Sequence, residues 1–221
     1  MRRFSRYGSR TGSPADAAMA ALTVFALCSG SWLLRDAAGT HAPPQPSAAQ
    51  AGAGLDGRTG GRERAAVPAL PPSPPVRIRI PAIRVDAPLT GLGLTSTGSL
   101  DAPPTGQRNL AGWYAAGTTP GEQGTAIVAG HVDDAAGPAV FHRLGALARG
   151  STIEVDRRDG GVAVFTVDAV EAYPAKDFPD EKVYGAARRP ELRVITCGGP
   201  SSPATGYQGN VVVFAHLTGS R

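Results

Sequence analysis

Short apolar segments separated by turn residues constrain the fold of this chain more than any other feature. Arg77-Ile78-Arg79-Ile80 alternates charged and apolar side chains, as a half-buried strand does. Similar short segments recur later in the chain, at Thr125–Gly130, Thr152–Val155, Val162–Val170, Leu192–Thr196 and Val211–Ala215. The 29 glycines and 20 prolines favour turns over long helices. We therefore expect an all-β fold: a closed β-barrel of about eight strands with short helical turns.

The N-terminal region has a different character. Arginines at positions 2, 3, 6 and 10 precede an uncharged apolar run, Ala17–Leu34, which is just long enough to span a bilayer. The positive flank predicts a basic cytoplasmic tail over residues 1–16 and a transmembrane signal anchor over residues 17–35. The rest of the chain is then extracellular, on a single-pass protein of the cell membrane. A cleaved signal peptide is the alternative.

Charge and composition divide the remainder into a linker and a domain. Residues 36–75 are rich in Pro, Ala, Gly and Ser, a composition that buries too little surface to offset chain entropy. The folded domain is expected over residues 76–221. The net charge of +4 arises in residues 1–35, whereas residues 36–221 hold 17 basic and 17 acidic side chains. A nucleic-acid-binding surface is therefore not expected.

The segment Leu192–Gly199 (L-R-V-I-T-C-G-G) holds a thiol at a position suited to reaction. The apolar strand is expected to stop at Thr196 and Cys197, and Gly198-Gly199 are expected to force a turn. The strand would fix the sulfur while the glycines leave room for a substrate. The alternative is a small buried core cysteine. The other cysteine, Cys28, lies in the apolar N-terminal run, so a disulfide between the two is not expected.

His131 is the first candidate partner for Cys197. It follows an apolar strand in the motif G-H-V-D, as Cys197 follows another, so the two side chains can meet at one rim of a barrel. An imidazolium favours the thiolate and can later protonate a leaving amine. The alternatives are a loop histidine bonded to backbone and a metal site with Asp133, Asp134 and His142. The spacing of these residues matches no established metal-binding motif.

Several motifs together resemble the sortase family over residues 76–217. Besides G-H-V-D and T-C-G-G they are R-I-P-A-I-R-V-D-A-P from Arg79, A-G-W-Y from Ala111, P-G-E-Q-G from Pro120, G-P-A-V-F from Gly137, V-Y-G from Val183 and N-V-V-V-F-A from Asn210. The T-C-G-G form and the N-V-V-V ending resemble the class F branch of that family.

The resemblance implies a cysteine transpeptidase of the Gram-positive cell surface. Cys197 would attack a backbone carbonyl in the C-terminal sorting motif of a secreted protein, and His131 would protonate the departing amine. An amine on a peptidoglycan precursor or another surface acceptor would then resolve the thioacyl-enzyme. Thr196 and Gly198 would contact the substrate. One amide bond replaces a similar one, so no ATP or other cofactor is implied.

The sequence departs from the family pattern in one place. Sortases carry an arginine just before the apolar triplet of the last strand, where it steadies the oxyanion. Asn210 occupies that slot here. An amide can donate to an oxyanion but lacks the charge and the fork of arginine. Gln208 is a second candidate donor, and Arg143 or Arg193 could reach the site instead.

Three other functions stay open at this point. An L,D-transpeptidase usually has Ser-His-Gly before its cysteine, where this chain has Ile195-Thr196. A catalytically weak or silent barrel that binds surface peptides would agree with Asn210 but not with the presence of both His131 and Cys197. A hydrolase with the same Cys-His pair would differ only in using water to resolve the acyl-enzyme.

Overall fold

The computed structural model describes residues 42–51, 67–202 and 204–221. Ten strands follow one another along the chain: β1 (Pro75–Ile80), β2 (Val85–Leu92), β3 (Ala111–Tyr114), β4 (Gly124–Gly130), β5 (Asp133–Asp134), β6 (Gly137–Pro138), β7 (Thr152–Arg157), β8 (Val162–Pro174), β9 (Pro190–Ser202) and β10 (Gly206–Ser220). One α-helix, α1 (Asp180–Tyr184), and three 3-10 turns, at Pro81–Ile83, Leu144–Ala146 and Ala175–Asp177, complete the described elements.

Eight of these strands form a closed barrel in the order β1–β2–β3–β4–β9–β10–β8–β7, and β5 pairs with β6 in a separate small sheet. The pairs β2–β3 and β4–β9 are parallel, and the others in the barrel are antiparallel. The predicted all-β closed barrel of about eight strands is thus confirmed. Because the barrel is closed, each of its strands pairs with a neighbouring strand on both sides.

Strand β10 is packed on both of its faces. Val211 and Val213 of β10 point into the main core, whereas Val212 and Phe214, one residue out of phase, belong to a second cluster outside the barrel. Val183 of α1 is fully buried in that outer cluster. Burial on both faces explains why β10 reads as a continuous apolar run rather than an alternating one.

Residues before position 76, where the folded domain was expected to begin, also pack against the barrel. Leu70 packs against the main core, and Ser73 is buried, with its backbone N–H bonded to Thr119 Oγ1 at 3.1 Å. Gln50 donates from its side-chain amide to the carbonyls of Gly145 and Leu147, both at 2.9 Å. Composition alone predicted a free linker here. The partners of Gln50 and Ser73 lie in the barrel, so the composition of the linker alone does not predict these contacts.

The predicted tail and signal anchor, residues 1–35, lie outside the described residues. Within the part of the chain that the structure covers, no helix is both long and apolar enough to cross a membrane. The anchor therefore stays a prediction.

Arg157, the last residue of β7, binds the segment that precedes β1. Its side chain is buried, and its guanidinium donates to the carbonyls of Pro120 at 2.7 Å and Pro71 at 2.5 Å. It also pairs with Asp159 at 2.9 Å, and this ion pair lowers the pKa of the Asp159 carboxyl. Three otherwise separate segments thus share one buried cation.

We expect Arg157→Gln to lower the free energy of unfolding by about 2–4 kcal/mol, because it leaves buried carbonyls without donors. Arg158→Gln, which changes the exposed neighbouring arginine, is the control and should stay within about 0.5 kcal/mol of the wild type. Urea unfolding followed by tryptophan fluorescence measures both. Equal effects of the two substitutions would show that the Arg157 contacts add no stability.

Candidate active site

Cys197 lies within β9 and not at its end. The strand continues to Ser202 and pairs with β10 on both sides of a register shift at residues 199–200, with Cys197 opposite Asn210. The expectation that Gly198-Gly199 force a turn is therefore wrong. A Cβ at residue 198 would come within 2.7 Å of Val211 Cγ2, and Gly199 has φ of +79°. The glycines allow β10 to approach closely and the hairpin to bend, which is why they look like a turn in sequence.

The thiol points to the outside of the barrel. Ile195, two residues earlier, belongs to the outer cluster, and strand alternation places Cys197 on the same face. Cys197 is a free cysteine and is exposed. The alternative of an inert core cysteine is therefore excluded.

His131 follows β4 on the same outer face, four residues after the outward-facing Ile127. The parallel β4–β9 register pairs Ala129 with Ile195, so continuing it by two residues places His131 opposite Cys197. The ring Nε2 lies 2.7 Å from the carbonyl oxygen of Pro103. Because a carbonyl only accepts, Nε2 carries a proton in this geometry. The loop that precedes β3 thus fixes both the orientation of the ring and the site of one proton.

One hydrogen bond joins the ends of β4 and β9 beside this pair. Thr196 donates from Oγ1 to the carbonyl of Gly130 at 2.8 Å. Gly130 packs against Phe141, so closely that a Cβ would come within 2.6 Å of the ring. Thr196 is buried, and its hydroxyl is used in this bond. Thr196 thus holds β9 against β4, and the substrate contact that the resemblance implies for it stays a prediction. Gly198 is buried as well, against Val211.

The surroundings of the thiol disfavour its ionised form. Partial burial raises the pKa of Cys197, and the Asp133 carboxylate raises it further. Tyr207 donates its hydroxyl to Asp133 Oδ2. Burial, followed by this bond to the carboxylate, raises the pKa of Tyr207 to about 12. The thiol is therefore mostly protonated at neutral pH and needs a base before it can attack a carbonyl.

The candidate oxyanion donors occupy different positions. Asn210 lies directly opposite Cys197 and on the same face, two residues before the outward-facing Val212. Gln208 lies 3.5 Å from Thr205 Oγ1. Arg193 packs over the ring of Phe214 at 4.7 Å and bonds Glu191 at 2.7 Å, so its guanidinium is already engaged away from the thiol. Arg143 lines a separate cleft described below. Asn210 is thus the amide best placed beside the sulfur.

A groove of about 1100 Å³ runs over the outer face of β4. Ile127 forms part of its floor, and its walls come from the loop after β2 and from the segment around α1. The exposed apolar side chains Leu94 and Tyr184 line these walls. Ile127 lies four residues before His131 on this face, so the floor of the groove and His131 share one face of β4.

An N-terminal segment reaches the other side of the thiol. The backbone N–H of Gly199 donates to the side-chain oxygen of Gln45 at 3.0 Å. Pro43 is buried, and Pro44 lies so close to Gly145 that a Cβ there would clash with its carbonyl. Residues 42–51 therefore lie across this end of the barrel.

Sequence reasoning missed three contributors to the site, Gln45, Pro103 and Tyr207, and it named Asp133 only as a possible metal ligand. Asp133 stands two residues after His131 in G-H-V-D, so its closeness to the site was available as a signal. The others lie in distant segments of the chain. Pro103 acts through its backbone carbonyl and Gln45 through its side-chain amide, and neither group produces a recognisable sequence motif. The described residues hold no group of three or more side chains that could bind a metal.

Comparison with known proteins identifies the family. The model of the Sortase domain family matches residues 78–218, and the chain therefore belongs to the sortase family of transpeptidases. No curated protein matches the sequence.

Solved structures agree on the fold. The SrtA sortase from Actinomyces oris is 19% identical with a TM-score of 0.53, over 71% of this chain and 89% of its own. Streptococcus agalactiae sortase C1, solved with MTSET, is 18% identical with a TM-score of 0.50, over 66% and 70% of the two chains. At this level of identity the likeness supports the barrel and not the details of specificity.

We expect Asp133→Asn to lower the pKa of the Cys197 thiol, because it removes a negative charge that opposes the thiolate while the amide oxygen still accepts from Tyr207. The rate of iodoacetamide alkylation at neutral pH should rise, since the thiolate is the reacting species. The rate is followed against pH, with the Cys197 peptide resolved from the Cys28 peptide by mass spectrometry.

Asp134→Asn is the matched control. The Asp134 carboxylate lies 3.5 Å from the Arg108 guanidinium and is not among the groups that shift the thiol. Its removal should leave the alkylation profile of Cys197 unchanged. An equal change in both variants would point to a general charge effect in place of a specific action of Asp133.

Proposed function

We propose that this protein is a membrane-anchored, extracellular cysteine transpeptidase of the class F type that transfers secreted proteins to a cell-surface amine. The observation that carries this proposal is that the parallel register of β4 and β9 places His131 opposite Cys197 on one outer face, and that the outer face of β4 also forms the floor of the groove. Family membership supports the reaction class. The basic tail and the apolar run Ala17–Leu34 support the anchor and the location at the cell membrane.

The first half of the reaction consumes an amide. The C-terminal sorting motif of the secreted protein lies in the groove as an extended peptide. Cys197 Sγ, deprotonated by His131, attacks a backbone carbonyl and forms a C–S bond. Asn210 donates an amide N–H to the oxyanion. The C–N bond then breaks, and the departing amine takes the proton from His131.

The second half restores the enzyme. An incoming amine, on a peptidoglycan precursor or another surface acceptor, attacks the thioester carbonyl and loses a proton to His131. The new C–N bond forms and the C–S bond breaks, which returns the thiol. The two amide bonds are similar in free energy, so the cycle needs neither ATP nor a cofactor.

A weak or silent peptide-binding barrel is the second candidate. The raised pKa of Cys197 favours it, as does the use of Asn210 in place of arginine. Such a protein would use the same groove but would not form an acyl-enzyme.

Intact-mass spectrometry of the protein with LPxTG-like peptides and a glycine amine separates these functions. We expect an acyl adduct on Cys197 that is absent in Cys197→Ala. His131→Ala should slow turnover by about 10²–10⁴-fold, the usual contribution of a general acid-base. A hydrolase would release free acid at the same rate with and without the amine. A protein that forms no adduct, and whose thiol resists alkylation, would be a silent barrel.

A second experiment tests the oxyanion donor. We expect Asn210→Ala to reduce the rate of acyl-enzyme formation by about 10²-fold or more, as the loss of an oxyanion donor does elsewhere. Gln208→Ala, on the same strand, is the matched control and should retain most of the rate. A larger loss in Gln208→Ala than in Asn210→Ala would assign the role to Gln208. Asn210→Arg tests whether the charged side chain of the family pattern raises the rate.

A further inference from the structure

A second cleft, of about 460 Å³, lies beside the loop that follows His131. Its walls come from the β1–β2 turn at Ile83–Val85, from Arg108-Asn109 and from residues 138–143. The strands β1, β4 and β9 run in the same direction around the barrel, so the β1–β2 turn lies at the rim where β4 and β9 deliver His131 and Cys197. The cleft shares no lining residue with the groove over the outer face of β4.

The lining of this cleft is cationic. It includes Arg84, Arg108 and Arg143, together with His142 and Asn109, and no acidic side chain. Arg108 donates to the Pro138 carbonyl at 2.7 Å and lies 3.5 Å from Asp134, so its charge is partly balanced.

Arg84 and Arg143 carry the unbalanced charge. Within residues 42–51, 67–202 and 204–221 neither side chain has a hydrogen-bond or ion-pair partner, whereas Arg77, Arg79 and Arg189 are paired with carboxylates. Arg149, Arg158 and Arg188 are unpaired in the same residues, but Arg84 and Arg143 differ from them in lining one cleft together. The cleft thus concentrates unbalanced guanidinium groups, which prefer planar or tetrahedral oxyanions as partners.

Backbone geometry adds a second sign of a built site. Arg84 has φ of +59°, and it is the one non-glycine residue in the described chain with a positive φ. Such a conformation costs about 1 kcal/mol or more for a residue with a Cβ and occurs more often at functional sites than elsewhere. His142, on the opposite wall, has an Nδ1 atom that is enclosed and lacks a hydrogen-bond partner. A buried nitrogen of this kind usually has one.

We propose that this cleft binds an oxyanion, a carboxylate or a phosphate, carried by the acceptor amine. The assignment to the acceptor rests on the proposed function, since the groove on β4 accounts for the peptide donor and leaves the acceptor without a site. Arg84 and Arg143 hold the anionic group by charge-assisted hydrogen bonds. The amine of the same molecule then approaches the thioester from the His131 side of the rim.

Anion binding is tested first, without any reaction. The protein is titrated with inorganic phosphate and, separately, with acetate at constant ionic strength, and binding is followed by NMR chemical shifts. We expect the double variant Arg84→Gln/Arg143→Gln to bind at least tenfold more weakly. Arg149→Gln, which changes an exposed arginine outside the cleft, should bind as the wild type does. Circular dichroism checks that each variant is folded.

The outcomes distinguish the ligands. Binding of phosphate alone identifies a phosphate site, and comparable binding of acetate identifies a carboxylate site. Absence of binding by either anion, or equal weakening in the Arg149→Gln control, overturns the proposal.

Transfer assays then test the link to the acceptor. The KM for triglycine, which carries a carboxylate, or for phosphoethanolamine should rise at least tenfold in the double variant, whereas the KM for glycinamide and the rate of acyl-enzyme formation should not change. If the adduct forms but acceptor preference is unaltered, the acceptor assignment is wrong. If no adduct forms with any peptide, the proposed transpeptidase function fails, while the anion titration still decides whether the cleft is a binding site.

Discussion

The parallel pairing of β4 with β9 is the constraint on which the rest of the site depends. It joins segments more than sixty residues apart, from Gly124 opposite Pro190 to Ala129 opposite Ile195. Parallel strands end at the same edge, so this one pairing brings His131 and Cys197 to one rim. Just beyond the last register pair, the side chain of Thr196 donates a hydrogen bond to the carbonyl of Gly130 and so joins the two strands at this edge. The remaining strands complete a barrel that keeps this edge fixed, and fixed positions are what the proposed catalytic roles of the two residues require.

The barrel and the closeness of His131 to Cys197 could be predicted because each leaves a local pattern, whereas the catalytic roles of the two residues stay a prediction. Apolar segments bounded by turn residues indicated the strands, and the position of Cys197 and His131 after two of them indicated a shared rim. The extension of β9 to Ser202 could not be predicted, because Gly198-Gly199 are as typical of a turn as of a close approach between strands. Only the tertiary structure, with Val211 against Gly198, distinguishes the two.

Contacts made by backbone groups and by low-complexity sequence were the least predictable. The Pro103 carbonyl orients His131, and the Pro71 carbonyl accepts from the buried Arg157. Every residue has a carbonyl, so neither role is visible in the residue type. The same holds for Gln45 and Ser73, whose region has the composition of a free linker. Composition reports how much apolar surface a segment carries, and it does not report which polar groups a neighbouring barrel leaves open.

The outward position of Cys197 and Asn210 has a consequence for sequence change in this protein. Cys197 and Asn210 share the face of Ile195 and Val212, whereas Val194, Val211 and Val213 face the core. Inserting or deleting a single residue in β9 before Cys197 would exchange these faces, placing the sulfur in the barrel interior and an apolar side chain outside. Changes of length in this chain should therefore accumulate in the loops around the rim, while the spacing between the last core residues and Cys197 stays fixed.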